Sequence, residues 1–364
     1  MMKVLHVIPD LPPCGAEKVV LTYLQKFKGD SNFDVAAISL SSNQHRLYER
    51  TAEDEGLNIM YLNQNIFDNS IKSRIKQIAQ LRRAFKAARP DIIHIHLSIL
   101  WIVCLASIGT GVKKMFHTLH SDPEKTSYGL HVYVDRLCYK LFHVRTLALN
   151  QEMKEKADSL FHLDNTLVLR NGIDLQLYKN QPKAELRKPF GIPEDCFVLG
   201  HVGRFNKVKN HTKIVEVFCE LKKLRPLSKL LLVGDGEEMS QIKEMVRALS
   251  LDKDVIFTGA RNEVPQMMAM MDCFIFPSLY EGLGIVLLEA QAAGLRCVVS
   301  DTVPVETTVT EKVIRLPLLL DASDWANAVL GEGGFNTSVV KQPLMSYDIN
   351  NVIETLKHYY RYDC

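Results

Sequence analysis

The chain has 364 residues, of which 47% are hydrophobic and 24% charged, with a formal net charge of +2. That length suits two domains with a core in each, and the composition excludes a disordered or fibrous chain. The near-neutral balance excludes a dedicated nucleic-acid binder, and eight cysteines without a C-x-x-C pair argue against a zinc ribbon or redox motif and for reduced thiols.

Met1-Met2-Lys3 runs straight into an apolar strand with no secretory h-region, and the longest apolar stretch, 97–108, is broken by Ser98 and Ser107. A cytoplasmic two-domain protein is the expectation. Apolar, β-branched runs at 4–8, 35–40, 59–62, 92–96, 115–119, 146–149 and 167–169 alternate with helical patterns such as 17–27, 71–88 and 151–161. The rhythm returns at 198–202, 230–233, 255–258, 274–276, 297–300 and 313–316. Near-continuous apolar strands alternating with helices predict parallel sheets covered on both faces, an α/β architecture. Prolines and glycines cluster at 172–196, so the reading is an N-terminal Rossmann-like domain at 1–172, a linker at 173–196 and a second Rossmann-like domain at 197–345. Ile349, Val352, Ile353, Leu356 and Tyr360 stand at helical spacing and predict a last helix, within 346–364, packing on something already folded.

In open α/β sheets chemistry sits in loops just after strands. The strand at 273–276 leads through Pro277-Ser278 into Glu281-Gly282-Leu283-Gly284, followed by a helix from Ile285 that carries Glu289. The free amides of such a helix start attract phosphate, and the two glutamates offer acceptors to sugar hydroxyls. After the strand at 198–202 comes Gly203-Arg204-Phe205-Asn206-Lys207-Val208-Lys209-Asn210. Here Arg204 can fork two donors to phosphate, Lys209 adds a point charge, and Asn210 is expected to cap the next helix. The first loop, Pro12-Pro13-Cys14-Gly15-Ala16-Glu17, also enters a helix but is not a G-x-G-x-x-G dinucleotide motif.

His94, His96, His117 and His120 gather after the middle strands. His94 and His117 read as satisfied core histidines, whereas His120 ends its strand beside Ser121-Asp122 and is the functional candidate. The turn at 233–237 has either a plain connecting role or a phosphate-edge role, and 171–174 shapes a hinge. Asp252-Lys253-Asp254 precedes a strand and is discounted as a metal motif. The region 71–89 is basic with no acid, and its apolar side is formed by Ile71, Ile75, Ile78 and Phe85. It either packs on its own sheet or rests on anionic lipid.

Taken together, Cys14-Gly15-Ala16-Glu17, Thr118-Leu119-His120, Asn171-Gly172-Ile173-Asp174, Gly203-Arg204 with Lys209, Gly234-Asp235-Gly236, and Glu281 with Glu289 resemble glycosyltransferase family 4 across essentially the whole chain. The segment 300–306 and Trp325-Ala326 resemble its capsular and exopolysaccharide subgroup. The resemblance implies the retaining, GT-B type: two Rossmann-like lobes facing across a cleft, with the C-terminal helix crossing back to the N-lobe. It implies catalytic roles for His120, Arg204, Lys209 and Glu281. Donor binding falls to Gly15, Arg204, Lys209, Glu281, Gly284, Ile285 and Glu289, with Arg204 and Lys209 on the diphosphate, Glu289 on the ribose and Glu281 on the hexose. The implied donor is a nucleotide sugar, a UDP-sugar first, with no metal and no further cofactor. The implied acceptor is a glycan or lipid-linked oligosaccharide, with peripheral contact to an anionic membrane and no nucleic acid. The chain departs from the family at Cys14, where a glycine is usual, and at Thr302-Val303-Pro304, where a Gly-Gly turn is common. A nucleotide-sugar epimerase and a non-catalytic partner of a polysaccharide assembly complex stay open as alternatives, and the first loop disfavours a nicotinamide-dependent oxidoreductase.

Overall fold

A computed structural model describes residues 1–335, 339–340 and 342–363. The chain divides into two compact units, Met1–Gly172 with Asn350–Cys364, and Ile173–Ile349.

The first unit holds seven strands: β1 (Met2–Ile8), β2 (Phe33–Ser39), β3 (Ile59–Tyr61), β4 (Ile92–His96), β5 (Lys114–Thr118), β6 (Arg145–Ala148) and β7 (Leu167–Val168). They form one sheet in the order β3-β2-β1-β4-β5-β6-β7, and every pair is parallel. Its helices are α1 (Gly15–Phe27), α2 (Leu47–Asp54), α3 (Ile71–Ala88), α4 (Leu100–Ser107), α5 (Pro123–Thr126), α6 (Leu130–Phe142) and α7 (Gln151–Phe161).

In the second unit the strands are β8 (Phe197–Val202), β9 (Ser228–Val233), β10 (Val255–Phe257), β11 (Cys273–Phe276), β12 (Arg296–Ser300) and β13 (Val313–Leu316). They lie in the order β10-β9-β8-β11-β12-β13, again all parallel. The helices are α8 (Lys183–Arg187), α9 (His211–Leu224), α10 (Met239–Ala248), α11 (Val264–Ala269), α12 (Ile285–Ala292) and α13 (Ala322–Leu330). Apolar side chains cover both faces of this sheet. Leu230, Leu232 and Ile275 meet α9 and α13, while Leu231, Phe274 and Phe276 meet α11 and α12. Parallel strands buried on both sides explain the unbroken apolar runs in the sequence.

α14 (Ile349–Tyr362) closes the chain, and from Asn350 onward it belongs to the first unit. Val352, Ile353, Leu356 and Tyr360 are buried, as their helical spacing requires. Its Lys357 pairs with Asp30 at 2.8 Å, and Tyr359 Oη donates to the Val168 carbonyl at 3.0 Å.

The segment 173–196 is no linker. It forms a 3-10 turn (Leu175–Tyr178), then α8, then a second turn (Lys188–Phe190), all within the second unit. Arg187 anchors it from a buried position, donating to the carbonyls of Met270 and Cys196 and to Asp272 at 2.7 Å. A buried arginine with that many acceptors is a structural tie, although in sequence it reads as part of a polar run. The seven cysteines among the described residues are free thiols, and Cys364 lies outside them.

Each sheet reverses its strand order once, between β1 and β4 in the first unit and between β8 and β11 in the second. Loops leaving the two strands at such a point separate and open a crevice at their carboxyl ends. In the second unit those loops are 203–210 and 277–284, the two strongest sequence motifs. The adjacent turn at Gly234 is a close backbone contact. Its φ is +140°, and a Cβ there would lie 2.0 Å from the Gly203 carbonyl oxygen. Gly234→Ala is therefore expected to destabilise the second unit by at least about 1–3 kcal/mol, seen as a lower melting temperature. A melting temperature equal to that of the unsubstituted protein would contradict this packing.

Candidate active site

The loop after β8 folds back over its own strand. Asn206 starts a 3-10 turn (Lys207–Lys209), its side chain accepting from the Lys209 amide at 3.2 Å. Asn210 then takes a left-handed conformation, φ +55°. It precedes α9, but its amide donates to the Pro277 carbonyl at 3.2 Å instead of capping the helix. The expected cap is thus a bridge between loops. A second bridge is main chain, Leu279 N donating to Val208 O at 2.8 Å.

These bridges bring the two motifs together. Lys209 Nζ and Glu281 Oε1 are 2.6 Å apart, with side chains only 17% and 10% exposed. The ammonium also stands 4.8 Å from the centre of the Phe276 ring, a cation–π contact. Gly203 is a close approach to a buried ring: a Cβ there would sit 2.8 Å from His201 Nε2. Arg204, on the same loop, reaches Glu237 of the glycine turn at 3.2 Å, both side chains being more than half exposed. Backbone bonds from Phe205 N to Asp235 O (2.9 Å) and Glu238 N to Phe205 O (3.0 Å) fasten that turn to the loop.

Gly284 is the residue before α12, with φ +74°, and a Cβ there would lie 3.3 Å from the Phe276 ring. The amides of Ile285 and Val286 fall in the first turn, where no partner exists within the helix. Leu287 N makes a tight bond back to Gly284 O at 2.9 Å. Glu289, one turn further on, is buried at 4% exposure. The Thr302 departure has a structural role: Thr302 and Ser300 hydroxyls both donate to the Ser278 carbonyl, at 2.7 and 2.6 Å, holding the loop that leads to Glu281. These supports were not apparent in the sequence, where hydroxyls after a strand look like ordinary turn residues.

His120 and Gly15 lie in the first unit. Gly15 opens α1 behind Cys14, whose side chain makes no cap bond. His120 lines a cavity of about 230 Å³ shared with Arg74, Trp101, His117, Tyr128 and His131. Behind it stands a buried histidine cluster. His94 and His96 lie on one sheet face, rings 4.4 Å apart, and His6 of β1 joins them. In the sequence nothing marks His6 within its apolar strand, because its partner is 90 residues away. Burial pushes His6 and His120 down to about 3, His117 to about 4, and His94 and His96 well below the usual imidazole range. All are thus neutral near pH 7. His117 is fixed by the Leu97 carbonyl (2.9 Å) and the Tyr139 hydroxyl (2.8 Å), and His94 by Tyr360 and Thr118, so both are satisfied core histidines.

The comparisons fall where the geometry points. Residues 182–329 match the family model described as glycosyl transferases group 1, and residues 13–177 match glycosyltransferase family 4. "Putative glycosyltransferase EpsF" of Bacillus subtilis (strain 168) is 29% identical over 98% of this chain and 96% of its own length. The UDP-Gal:alpha-D-GlcNAc-diphosphoundecaprenol alpha-1,3-galactosyltransferase of Escherichia coli is 30% identical over 64% of this chain and 63% of its own. Among solved structures, HepE of Anabaena in complex with UDP and glucose superposes with a TM-score of 0.80 at 19% identity, covering 100% of both chains. WaaG, a glycosyltransferase of lipopolysaccharide biosynthesis, gives 0.65 at 17%, covering 99% of this chain and 95% of its own. With two Rossmann-like units, both family halves in order and a relative matching from end to end, the chain belongs to the family 4 glycosyltransferases of GT-B fold.

Proposed function

We propose that the chain is a retaining glycosyltransferase that moves a hexose from a nucleoside diphosphate sugar, first of all a UDP-sugar, to a hydroxyl of a glycan or lipid-linked oligosaccharide in bacterial capsular, exopolysaccharide or related surface-glycan synthesis. The observation that carries it is the meeting of Lys209 with Glu281 next to the amides that open α12. Cleavage of the bond from anomeric carbon to phosphate oxygen leaves negative charge on the diphosphate. Lys209, Arg204 and the amides of Gly284 and Ile285 supply the countercharge, and Glu281 and Glu289 accept from hexose and ribose hydroxyls. The acceptor hydroxyl attacks from the face the diphosphate leaves. Its oxygen bonds the anomeric carbon, and its proton passes to the departing phosphate oxygen. His120, neutral in its pocket, holds a substrate hydroxyl or carbonyl near that carbon, and Gly15 gives the first loop close approach to the donor. Two supports for substrate class come from relatives: the UDP-glucose complex of a fold neighbour and the diphosphoundecaprenol acceptor of the Escherichia coli enzyme.

Contact with an anionic membrane face joins this reading. Among the described residues no helix is long and apolar enough to cross a membrane. Instead α6 turns an apolar stripe outward: Leu130 is 82%, Leu137 56% and Leu141 61% exposed. On α3, Phe85 is buried as expected, but Ile71 is 80% exposed beside Lys72 and Lys76. α4 packs against both helices, so the three share one flank of the first unit. An apolar face beside basic residues and few acids suits anionic headgroups over a second, equally basic copy.

Three experiments test these readings. Arg204→Ala and Lys209→Ala are each expected to lower sugar-transfer kcat about 100-fold. Arg204→Ala should leave the melting temperature unchanged. Lys209→Ala, which strips the shielded Glu281 of its partner, should lower it while the protein still folds. Saturating UDP-sugar should raise the unsubstituted protein's melting temperature, at 100 times Kd by about 2.7 kcal/mol of stability, more than GDP- or ADP-sugars do. Unchanged turnover in both variants would overturn the site. The full chain should also co-sediment with phosphatidylglycerol vesicles and not with phosphatidylcholine vesicles. Leu130→Glu combined with Leu137→Glu should abolish that binding, and equal binding by the double variant would refute the docking face.

A further inference from the structure

The histidines behind His120 form one connected line. His120 Nε2 meets His96 Nδ1 at 2.9 Å, and His96 Nε2 meets His6 Nδ1 at 2.8 Å. His6 Nε2 meets the Tyr360 hydroxyl at 3.5 Å, Tyr360 meets His94 Nδ1 at 2.6 Å, and His94 Nε2 meets Thr118 Oγ1 at 2.7 Å. His6, His94, His96 and Tyr360 are fully buried. One ring nitrogen from each of His6, His94 and His96 also lies within 4.8 Å of the other two, a spacing that could hold a metal ion. Both nitrogens of each ring, however, already face a ring nitrogen or a hydroxyl, so the cluster is satisfied without one.

A neutral imidazole has one donor nitrogen and one acceptor nitrogen, and a phenol has one proton. A ring placed between two neighbours must therefore accept from one side and donate to the other. Reversing a single bond would leave two lone pairs, or two protons, facing each other inside the core, a loss on the scale of an unmade buried hydrogen bond. Tyr360 obeys the same rule, since its proton serves His6 or His94 and an unbonded buried hydroxyl is costly. Only two arrangements satisfy every link. Either His6, His94, His96 and His120 all carry the proton on Nδ1, or all carry it on Nε2. His117 stands apart: a carbonyl only accepts, so its Nε2 is the protonated nitrogen.

We propose that His96, His6 and Tyr360 are positioning residues that tie the tautomer and ring orientation of His120 to one state shared by the whole line, so that the C-terminal helix sets the chemistry of a histidine at the acceptor-side cavity. For a group that must present either a donor or an acceptor to substrate, a mixed tautomer halves the competent population, and a loose ring loses more. The line also supplies a role for the return of α14: without it the His6 and His94 ends would each lack a partner. The catalytic consequence rests on the reading of His120 as a substrate-contacting group, whereas the shared tautomer does not.

The test is nitrogen-15 NMR of histidine-labelled full-length protein at pH 7.5, with two-bond proton couplings to assign each tautomer. In the unsubstituted protein His6, His94, His96 and His120 should all show the same tautomer, with His117 protonated on Nε2. A mixture among the four overturns the proposal, and so does a metal-bound pattern after zinc is added. Tyr360→Phe should leave the fold intact, turn His120 into a tautomer mixture and lower kcat about tenfold, with KM for the donor sugar within twofold. An unaltered His120 signal in that variant also overturns it. If the tautomers behave as stated while His120→Ala transfers sugar like the unsubstituted protein, the line stands and the assignment of His120 fails. Should Tyr360→Phe not fold, the four-ring pattern of the unsubstituted protein still decides.

Discussion

The reversal of strand order between β8 and β11 is the constraint on which the second unit's chemistry depends. Lys209 and Glu281 are 72 residues apart in sequence, and only adjacent strands whose loops leave in opposite directions bring them to one crevice. Strand pairing alone sets this position loosely. What narrows it is the lacing above the strands, where Leu279 bonds Val208 and Asn210 bonds Pro277. Below, the Phe276 ring supports the lysine ammonium, and Phe205 stacks on His211 at 4.0 Å. A charge held over an aromatic face and against a carboxylate keeps little freedom to lose when a ligand arrives.

The first unit meets a different difficulty, that of keeping polar rings inside a parallel sheet. Alternation places His94 and His96 on the same face, and His6 from the neighbouring strand completes a polar patch where aliphatic side chains would be usual. Such a patch is tolerable only while the rings stay neutral and bonded to each other. Because folding holds them below their unfolded pKa of about 6.5, their contribution is full above that pH. It falls as acid protonates the unfolded chain first, by about 1.4 kcal/mol per pH unit for each such ring. The buried line is therefore suited to a pH near or above 7 and poorly suited to an acidic one.

Most of the architecture could be read from residue types. Apolar strand runs alternating with helices gave both sheets to within a residue or two at their ends, and the spacing of Ile349, Val352, Ile353, Leu356 and Tyr360 gave the last helix and its buried face. The glycine-containing loops after strands gave the candidate site, because a βα turn in a parallel sheet is necessarily at the carboxyl edge. What escaped depends on partners distant in sequence. Arg187 reads as solvated until Met270, Cys196 and Asp272 surround it. Asn210 reads as a cap until Pro277 claims its amide. His6 is one histidine in a strand until His96 and Tyr360 arrive from 90 and 354 residues away. The outward stripe of α6 was hidden for the opposite reason: helical periodicity shows that an apolar face exists, not which way it points.

Both cations of the site are already engaged, Lys209 with Glu281 and Arg204 with Glu237. The two pairs differ in what they ask of a ligand. The Arg204 pair is mostly exposed, and an exposed pair is worth only about 0–1 kcal/mol, so a phosphate can take the guanidinium at little cost. The Lys209 pair is largely shielded, and stripping the ammonium from its carboxylate would leave Glu281 uncompensated, which is expensive. The proposed donor, a diphosphate sugar, would avoid that loss because it brings both kinds of group at once. Its phosphate oxygens can share the ammonium, while its hydroxyls donate to the carboxylate and replace part of what the lysine gave. Inorganic phosphate lacks those hydroxyls and would have to compete with Glu281 directly. The ion pair thus favours an anion joined to a polyol over an anion alone, a selection that follows from keeping Lys209 and Glu281 together instead of leaving either one open.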